Sequence, residues 1–290
     1  MQEVELVFRG FDAHELACHF VARQAGIYAR YGLRVRLRDG IGAASESSGL
    51  PQFHAACGLA LGDWLRGAPS RKVIFIAAQR PMFWLYGRPG SGGLAALAGG
   101  RVASYPDGAP PAAMLPLALD SAVPGLAPQL TLLPVRDDAA RLGLLRAGDV
   151  DAAVLSSAMA PGWPARSGAA ELLFFGDWLR IPTTGLAIAP ALLATEAARA
   201  MCRAWSDSLV LIHAGAQPLV QALEVAMDFS NADSVDMAAR VRAAYSCDGR
   251  SALDVLQSGI DLMCGALRCQ SPAPLTQLYD FSLLPVPEQK

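Results

Sequence analysis

Asp12 and His14, near the start of the chain, are residue types that can do acid–base or hydrogen-bonding chemistry. A histidine near a carboxylate can hold or move a proton, and either group can bind a polar ligand. Asp63 is a second carboxylate that could pair with His14. An aspartate also commonly begins a helix, where it accepts a backbone hydrogen bond. The sequence leaves three roles open for this pair: ligand binding, acid–base catalysis and helix capping.

Polar and aromatic residues recur where predicted strands end. In a parallel sheet, ligands bind beyond the carboxyl ends of the strands. The predicted ligand-binding residues are Phe11, Asp12, His14, Gly62, Asp63, Trp64, Trp84, Tyr105, Asp107, Gly108, Ser156, Ser157, Thr183 and Thr184. The serine pair either lies in a simple loop or donates hydrogen bonds to ligand oxygens, and we favour the second role. The aromatic residues that could line the walls of the site are Phe83, Trp84, Tyr86 and Trp178. Trp64 and Trp84 either stack on a ligand or belong to the core.

The segments that must position these residues alternate between strand and helix. Glu3–Phe8 alternates as a strand does, a helical stripe follows from Leu16 to Tyr31, and Leu33–Arg38 alternates again. This β-α-β order favours a parallel sheet. Further strands are predicted at Cys57–Leu61, Lys72–Gln79, Met82–Tyr86, Arg101–Tyr105, Gln129–Val135, Val150–Leu155 and Glu171–Phe175. From Pro190 onward the pattern is helical.

The composition excludes several classes of protein. Hydrophobic residues make up 53% of the 290 residues and charged residues 17%, which is enough apolar material for a large core. The formal net charge is −2, and no basic run suits a phosphate backbone, so we expect no nucleic-acid partner. Mean hydropathy is +0.30, yet no apolar run reaches the roughly 18 residues of a spanning helix. We expect a protein that does not span a membrane.

Cysteine and glycine patterns point to neither a metal site nor a phosphate loop. The six cysteines include no C-x-x-C pair, and their spacing does not match a zinc site with the four histidines. We expect buried, reduced thiols, and a Cys264–Cys269 bridge only in an exported protein. The glycine-rich Gly87–Gly93 lacks the Lys-Ser/Thr ending of a phosphate loop, so we interpret it as a hinge loop.

Four segments, taken in order, resemble a known family. Phe11–Leu37 (FDAHELACHFVARQAGIYARYGLRVRL) resembles the opening of the solute-binding proteins of ABC importers. The similarity is to the nitrate, sulfonate and taurine type, which includes the binders of thiamine-pyrimidine precursors. Leu94–Ser104, Leu142–Leu155 and Ile181–Ile188 resemble later segments of the same family, so the likeness spans about residues 5–190.

The resemblance implies a fold and a function. It implies the periplasmic-binding-protein type II fold: two α/β lobes, each a mainly parallel sheet flanked by helices, joined by two crossovers. We predict that residues 1–89 and 186–290 form the first lobe and residues 90–185 the second. The implied function is to close on a small organic ligand, in a cleft between the lobes, for an ABC permease.

The turn before one second-lobe helix disfavours an anionic ligand. An anion at a helix start is held by free backbone N–H groups, and here Pro110 and Pro111 remove two of them while Asp107 adds negative charge. We therefore expect a neutral or cationic heterocycle, or an aromatic, held by Asp12, Asp63 or Asp107. The alternative is an anion whose countercharge comes from an arginine, with three candidates: Arg80, Arg88 and Arg180.

Two alternatives to a binding protein remain open. One is a cytoplasmic enzyme on the same fold, a decarboxylase, a dehydratase or an enzyme of pyrimidine biosynthesis. The related yeast-type pyrimidine synthase holds pyridoxal phosphate on a lysine and consumes a histidine, and those places resemble Gly62 and Arg66 here. We therefore expect neither a cofactor nor that chemistry. The other alternative is a ligand-sensing module.

The N-terminus bears on location. Met1–Arg9 has no basic region, apolar core or small-residue cleavage site of an export signal. We expect a cytoplasmic protein for the sequence as written, and a periplasmic one if a signal has been removed.

Overall fold

A computed structural model describes residues 1–41, 49–270 and 274–285 of the chain. Over these residues the chain forms ten β-strands and eleven α-helices. The strands are β1 Gln2–Phe8, β2 Leu33–Asp39, β3 Gln52–Ala56, β4 Lys72–Ala78, β5 Phe83–Gly87, β6 Arg101–Ser104, β7 Thr131–Pro134, β8 Ala152–Ser156, β9 Ala170–Phe174 and β10 Thr184–Ile188. The helices are α1 Ala13–Gln24, α2 Ile27–Arg30, α3 Cys57–Leu65, α4 Pro110–Ala122, α5 Asp138–Ala147, α6 Gly162–Arg166, α7 Phe175–Trp178, α8 Glu196–Ala214, α9 Gln217–Met227, α10 Asn231–Ala244 and α11 Leu253–Leu267.

The described strands form two five-stranded sheets with the same arrangement. The first sheet has the order β2-β1-β3-β10-β4, and the second has the order β7-β6-β8-β5-β9. In each sheet four strands are parallel, and one, β10 or β5, is antiparallel to both of its neighbours. The predicted two-lobed α/β fold with mainly parallel sheets is confirmed.

The antiparallel strand of each sheet is the one that the chain forms on arriving from the other sheet. β10 fits tightly between β3 and β4: a methyl group on Gly185 would lie 1.8 Å from the carbonyl oxygen of Phe75. Only glycine allows so close an approach of two backbones. β10 pairs with β3 and β4, so the chain is back in the first sheet at Thr184–Ile188.

The first passage between the sheets lies earlier than predicted. β5 pairs with β8 and β9, so the chain crosses over residues 79–82 and not near Gly87–Gly93. The prediction failed because the apolar run in Met82–Tyr86 carries no sign of which sheet it joins. The other bounds of the two lobes stay a prediction, and residues 42–48, 271–273 and 286–290 of the first lobe lie outside the described residues.

The predicted strand Cys57–Leu61 is a helix. The strand ends earlier, at Ala56, and α3 follows at once from Cys57 to Leu65. The apolar run CGLAL suits a buried strand as well as a buried helix, and periodicity alone does not separate the two in a short segment. This error moves Gly62, Asp63 and Trp64 from a strand end into a helix.

The chain after β10 is helical and contacts both lobes. α8 and α9 pack on α1 of the first lobe, whereas α11 lies against α4 of the second. Residues 274–285 return to the edge of the first sheet, where the Val73 N–H donates to the Leu278 carbonyl over 2.8 Å. Among the described residues no single helix is long and apolar enough to cross a membrane; only α8 and α9 together, bent by 112°, meet that test.

Candidate interlobe site

The first lobe contributes a buried acid and a histidine, which meet a hydroxyl at the second crossover. Asp12 caps α1, its carboxylate accepting from the Glu15 N–H over 2.7 Å, and 7% of the residue is exposed. His14, in the first turn of α1, points to the second crossover, where its Nε2 lies 2.7 Å from the hydroxyl of Thr183. The Glu15 carboxylate accepts from the N–H groups of Arg9 and Gly10. The start of α1 therefore gathers two carboxyls and an imidazole in a buried place.

The second lobe contributes a hydrogen-bonded group around Asp138 at the start of α5. The Asp138 carboxylate accepts from the hydroxyl of Ser156 over 2.5 Å and from its N–H over 3.2 Å. Arg141 forms an ion pair with Asp138, and its guanidinium lies 3.9 Å from the centre of the Tyr105 ring. Its other two guanidinium nitrogens donate to the carbonyls of residues 135, 136 and 154, so each nitrogen of the completely buried Arg141 has a partner.

Direct contacts join the two groups. The Ser157 hydroxyl, after β8, accepts from the His14 N–H over 2.7 Å, and the Ser157 carbonyl accepts from the Ala13 N–H over 3.4 Å. The His14 ring packs edge-on against Phe83 at 5.7 Å, and Phe83 in turn contacts Tyr105 at 5.7 Å. We call Asp12, His14, Tyr105, Asp138, Arg141, Ser156, Ser157 and Thr183 the interlobe cluster. Its members come from both lobes and meet at the sheet edges where the parallel strands end and where β10 begins.

Burial sets the protonation of the cluster. Burial raises the pKa of Asp12 to about 7; the negative charge of Asp138 adds to this shift, and hydrogen bonds from Glu15 and Ser157 oppose it. Burial, with the charge of Asp12, raises the pKa of Glu15 to about 8. Burial lowers the pKa of His14 to about 3, so its imidazole is neutral at pH 7. At pH 7 the start of α1 therefore holds a mostly protonated Glu15, a partly protonated Asp12 and a neutral His14 imidazole.

The starts of α3 and α4 meet beside the cluster. A methyl group on Gly58, in the first turn of α3, would lie 3.4 Å from Cγ of Pro110, the first residue of α4. The Gly58 N–H is directed to the Thr183 carbonyl over 3.4 Å. Pro110 and Pro111 have no N–H to offer, so the start of α4 lacks two of the groups with which a helix N-terminus commonly binds an anion.

A second set of contacts holds the lobes together at the rim. Asp233 in α10 accepts from the Gly162 N–H over 2.7 Å and from Arg166 over 3.2 Å, both in α6 of the second lobe. Arg240, two turns further along α10, pairs with Glu171 of β9 over 3.0 Å and lies 5.1 Å from the Trp84 ring. A pocket of about 10 Å³ remains between this rim and Ser156. That is about the space one water molecule needs.

The structure brings together six of the predicted site residues: Asp12, His14, Tyr105, Ser156, Ser157 and Thr183. Thr184, 2% exposed, begins β10 directly behind them and pairs with Ala56 and Ala78. Their role in binding stays a prediction. Of the two groups that could pair with His14, neither Asp12 nor Asp63 does so: the hydrogen bond of the imidazole in the cluster goes to Thr183.

The other predicted residues lie away from the cluster. Phe11 is 46% exposed and packs on Phe8 and Phe20. In α3, the Gly62 Cα faces Arg66, and Trp64 is a core residue. Asp63 forms ion pairs with Arg66 and Arg71, both over 2.7 Å.

The remaining three differ in where they lie. Trp84 is in β5, stacked on Phe174 at 5.1 Å, and it lines the small pocket between the rim and Ser156. Asp107 and Gly108 lie in an exposed turn before α4, and Gly108 has a φ of 84° that favours glycine. Asp107 and Gly108 are far enough along this turn to lie away from the end of β6. Only Tyr105, directly after Ser104, remains at the end of that strand.

Sequence reasoning missed Glu15, Asp138 and Arg141. Asp138 follows β7, so the rule that nominated residues after the other strands would have found it had it been applied there. Arg141 is one helical turn after Asp138, a spacing at which an acid and an arginine meet. Glu15 stands three residues after the cap Asp12, where a reciprocal capping carboxylate is common. Among the described residues no group of three or more His, Cys, Asp or Glu is arranged to hold a metal ion.

Comparison with known proteins identifies the fold. No protein-family model matches the chain, and no curated protein matches it. Among solved structures, the periplasmic aliphatic sulphonate binding protein SsuA from Escherichia coli superposes with a TM-score of 0.75 at 14% identity, covering 100% of this chain and 96% of that one. The zinc-bound ligand-binding component of an ABC-type import system from Staphylococcus aureus gives 0.75 at 13% identity, covering 98% of each chain.

An enzyme has the same fold. The desulfurization enzyme DSZB superposes with a TM-score of 0.70 at 14% identity, covering 97% of each chain. The likeness to these three structures extends over nearly the whole chain, so the periplasmic-binding-protein fold is established for this protein. With sequence identities of 13–14%, the likeness shows a shared fold.

Proposed function

We propose that this chain, built on the fold of the import components described above, is a solute-binding protein that closes its two lobes on a small organic ligand. The observation that carries the proposal is the interlobe cluster. It places buried polar groups of both lobes against one another at the ends of their strands, where ligands bind in α/β sheets. The names of SsuA and the Staphylococcus component support delivery to an ABC permease, on the outer side of a membrane.

The contacts between the lobes suggest how binding works. Since the pocket beside Ser156 has room for about one water molecule, a ligand enters only when the lobes move apart. Opening breaks the hydrogen bond from the His14 N–H to Ser157 and frees Asp12, Ser157 and Thr183 to meet a ligand. A ligand that touches both lobes favours the closed form by its differential contacts.

The hydrogen-bond acceptors of the site favour a cationic or neutral ligand that donates hydrogen bonds. Asp12 and Glu15 offer carboxyl oxygens, whereas the one guanidinium of the cluster, Arg141, is already committed to Asp138 and three carbonyls. The prolines at the start of α4 withhold the N–H groups that an anion needs. Phe83 and Tyr105 add a ring edge and a ring face for an aromatic or heterocyclic ligand.

A thermal-shift screen tests the proposal. The panel contains amines, amidines, neutral heterocycles, aromatic acids and sulfonates, and each is measured with the wild type and with Asp12→Asn. A ligand at a hundred times its dissociation constant stabilises the native state by about 2.7 kcal/mol, which such a screen detects. We expect a cationic or neutral heterocycle to raise the melting temperature of the wild type and to lose most of that effect in Asp12→Asn.

Asp149→Asn is the matched control, because it makes the same change at an exposed second-lobe carboxylate outside the cluster. It should respond to the ligand as the wild type does. Stabilisation by sulfonates alone, unchanged in Asp12→Asn, would contradict the assignment of the ligand class. No stabilisation by any compound, with an unchanged radius of gyration on addition, would contradict ligand-driven closure.

One observation favours an enzyme as the second candidate. Burial raises the pKa of Asp12 to about 7, which is where a general acid or base works best at neutral pH, and the lobes exclude water around it. DSZB demonstrates that the fold can carry an enzyme. The test is to recover each screening hit after incubation and analyse it by mass spectrometry. A product that forms with the wild type and Asp149→Asn but not with Asp12→Asn supports the enzyme; an unchanged compound supports the binding protein.

A further inference from the structure

The end of α11 is closed by a turn that joins two cysteines. Arg268 has a left-handed conformation, with a φ of 52° and a ψ of 42°. The Cys269 N–H donates to the Cys264 carbonyl over 3.0 Å, and the Arg268 N–H donates to the Gly265 carbonyl over 3.3 Å. These are the two nested hydrogen bonds of a Schellman motif, in which Cys264 and Cys269 are the first and last residues.

This motif brings the side chains of its first and last residues together, and in most proteins they are apolar. Here both are cysteines, and a side-chain hydrogen bond with Cys269 is among the causes that raise the pKa of Cys264. A disulfide needs Cα atoms about 4.4–6.8 Å apart. The Cys269 N–H and the Cys264 carbonyl oxygen are joined by a hydrogen bond of 3.0 Å, so the two backbones lie side by side. The turn therefore holds the two thiols where a bond between them requires little movement.

The surroundings of the two thiols divide their roles. Cys264 is 7% exposed, whereas Cys269 is half-buried. Burial raises the pKa of Cys264 to about 11, and Cys269 and Asp261 add to the shift. Cys269 is therefore the thiol that an external oxidant reaches first, and Cys264 is the one that follows. By contrast, Cys18, Cys57 and Cys202 are buried, and burial raises the pKa of each.

We propose that Cys264 and Cys269 are a redox modification site, which a small disulfide such as oxidised glutathione converts to a reversible intramolecular disulfide. The Cys269 thiolate attacks one sulfur of oxidised glutathione, forming a mixed disulfide and releasing one glutathione. The Cys264 thiolate then attacks the sulfur of Cys269 and releases the second glutathione. The protein loses two protons and two electrons, and oxidised glutathione becomes two molecules of reduced glutathione.

The Cys264–Cys269 pair lies where the chain passes from the second lobe to the first, which determines what a disulfide would do. α11 lies against α4 of the second lobe, and the segment after Cys269 returns to the edge of β4 in the first lobe. The bond would fix the turn at which the chain leaves the second lobe and returns to the first. The ring that it closes is short, so its effect is to hold this turn in place more than to raise the global stability.

Arg268 makes the bond easy to detect, because trypsin cleaves between the two cysteines. After Arg250 the next cleavage is at Arg268, which leaves peptide 251–268 with Cys264 and peptide 269–290 with Cys269. The full-length native protein is incubated with oxidised glutathione, its remaining thiols are alkylated, and the digest is analysed by mass spectrometry. We expect the two peptides to be joined in the oxidised sample and to separate after reduction. Before alkylation, the intact mass of the oxidised protein should be lower than that of the reduced protein by about two hydrogens.

Three variants complete the test. Cys247→Ser, which removes the one exposed cysteine of the described residues, should form the linked peptides as the wild type does. Cys269→Ser should leave Cys264 unlinked, and Cys264→Ala should leave Cys269 as a mixed disulfide with glutathione. Separate alkylated peptides from the oxidised wild type would overturn the proposal. So would a stable glutathione adduct on wild-type Cys269, or a link from either peptide to Cys247.

Discussion

At the scale of single residues, the cluster is notable for polar groups that are buried and satisfied by the other lobe. The His14 imidazole and N–H both have partners, Thr183 and Ser157, and Arg141 uses its donors on Asp138 and on three carbonyls. Asp12 is the costly member, because its charge is removed from water and lies near that of Asp138. The two lobes therefore meet over groups whose protonation depends on how closely they approach.

Asp12→Asn should change how stability depends on pH. In the folded wild type the pKa of Asp12 is about 7 against an ordinary 3.8, so between these values the folded state holds a proton that the unfolded state has lost. Its stability therefore falls as pH rises from about 4 to about 7. The asparagine keeps the acceptor for the Glu15 N–H and cannot ionise. We expect the variant to gain over the wild type on the order of 3 kcal/mol by pH 8.

Denaturant unfolding at pH 5, 6, 7 and 8 measures this difference, and Asp149→Asn should follow the wild type throughout. If the difference in unfolding free energy between the wild type and Asp12→Asn is the same at all four pH values, the pKa of Asp12 is not raised.

Ser157→Ala should weaken the contact between the lobes. The change removes the acceptor of the His14 N–H, a bond of 2.7 Å between fully buried groups. An unsatisfied buried donor costs about 1–3 kcal/mol. Ser121→Ala serves as the control, because that hydroxyl bonds only to its own helix at Leu117 and is exposed. Equal unfolding free energies for the two variants would show that the His14 N–H finds another partner.

The residues of the cluster could be predicted only where the local pattern already identifies a strand end. Asp12, Ser156 and Ser157 follow clear strands, and the rule for parallel sheets found them. Asp138 also follows a predicted strand, Gln129–Val135, so the same rule covers it. Arg141 lies one helical turn further on, and its bond to the Val154 carbonyl of β8 leaves no trace in the local pattern.

At the scale of elements, the fold depends on two strands, each inserted antiparallel to the other strands of its sheet. β10 enters between β3 and β4, and β5 enters between β8 and β9. Each is reached by a short passage from the other sheet, so these two passages connect the lobes. An apolar run such as that of β5 is recognisable as a strand, but pairing partners far along the chain decide which sheet takes it. This explains why the sequence placed β5 in the wrong sheet.

Gly185→Ala should disrupt the insertion of β10. The added methyl group would overlap the Phe75 carbonyl at 1.8 Å, which only a backbone shift can relieve. We expect a loss of more than about 3 kcal/mol in unfolding free energy, or failure to fold. Gly143→Ala is the contrasting change: it lies within α5 in open space and should stabilise by about 0.5–1 kcal/mol. If Gly185→Ala is as stable as the wild type, the approach of β10 to β4 is not as close as described.

At the scale of the whole molecule, three regions hold the lobes together: the cluster, the rim at α10 and the packing of α11 on α4. The rim is farthest from the cluster's chemistry, so it can be weakened without changing a candidate ligand contact. Its polar contacts lie partly in water and are individually modest. Together they bias the balance between open and closed forms.

Asp233→Ala should shift that balance towards the open form. The carboxylate accepts from the Gly162 N–H and pairs with Arg166, both across the lobes. Small-angle X-ray scattering should give a larger radius of gyration for the variant, and a bound ligand should reduce the difference. Asp207→Ala is the control, since Asp207 pairs with Arg30 and Tyr31 within the first lobe. Identical scattering of all three proteins would show that Asp233 does not hold the lobes closed.

The inserted strands also have a consequence for synthesis. The second sheet is built from one uninterrupted stretch, β5 to β9, whereas the first sheet lacks a central strand until β10 has been made. The first lobe leaves the ribosome first, but the facing edges of β3 and β4 stay unpaired until β10 is made. The second lobe has all its strands once residue 174 has been made. Completion therefore runs against the order of translation, and a nascent chain arrested before Thr184 would carry a finished second sheet beside an unfinished first one.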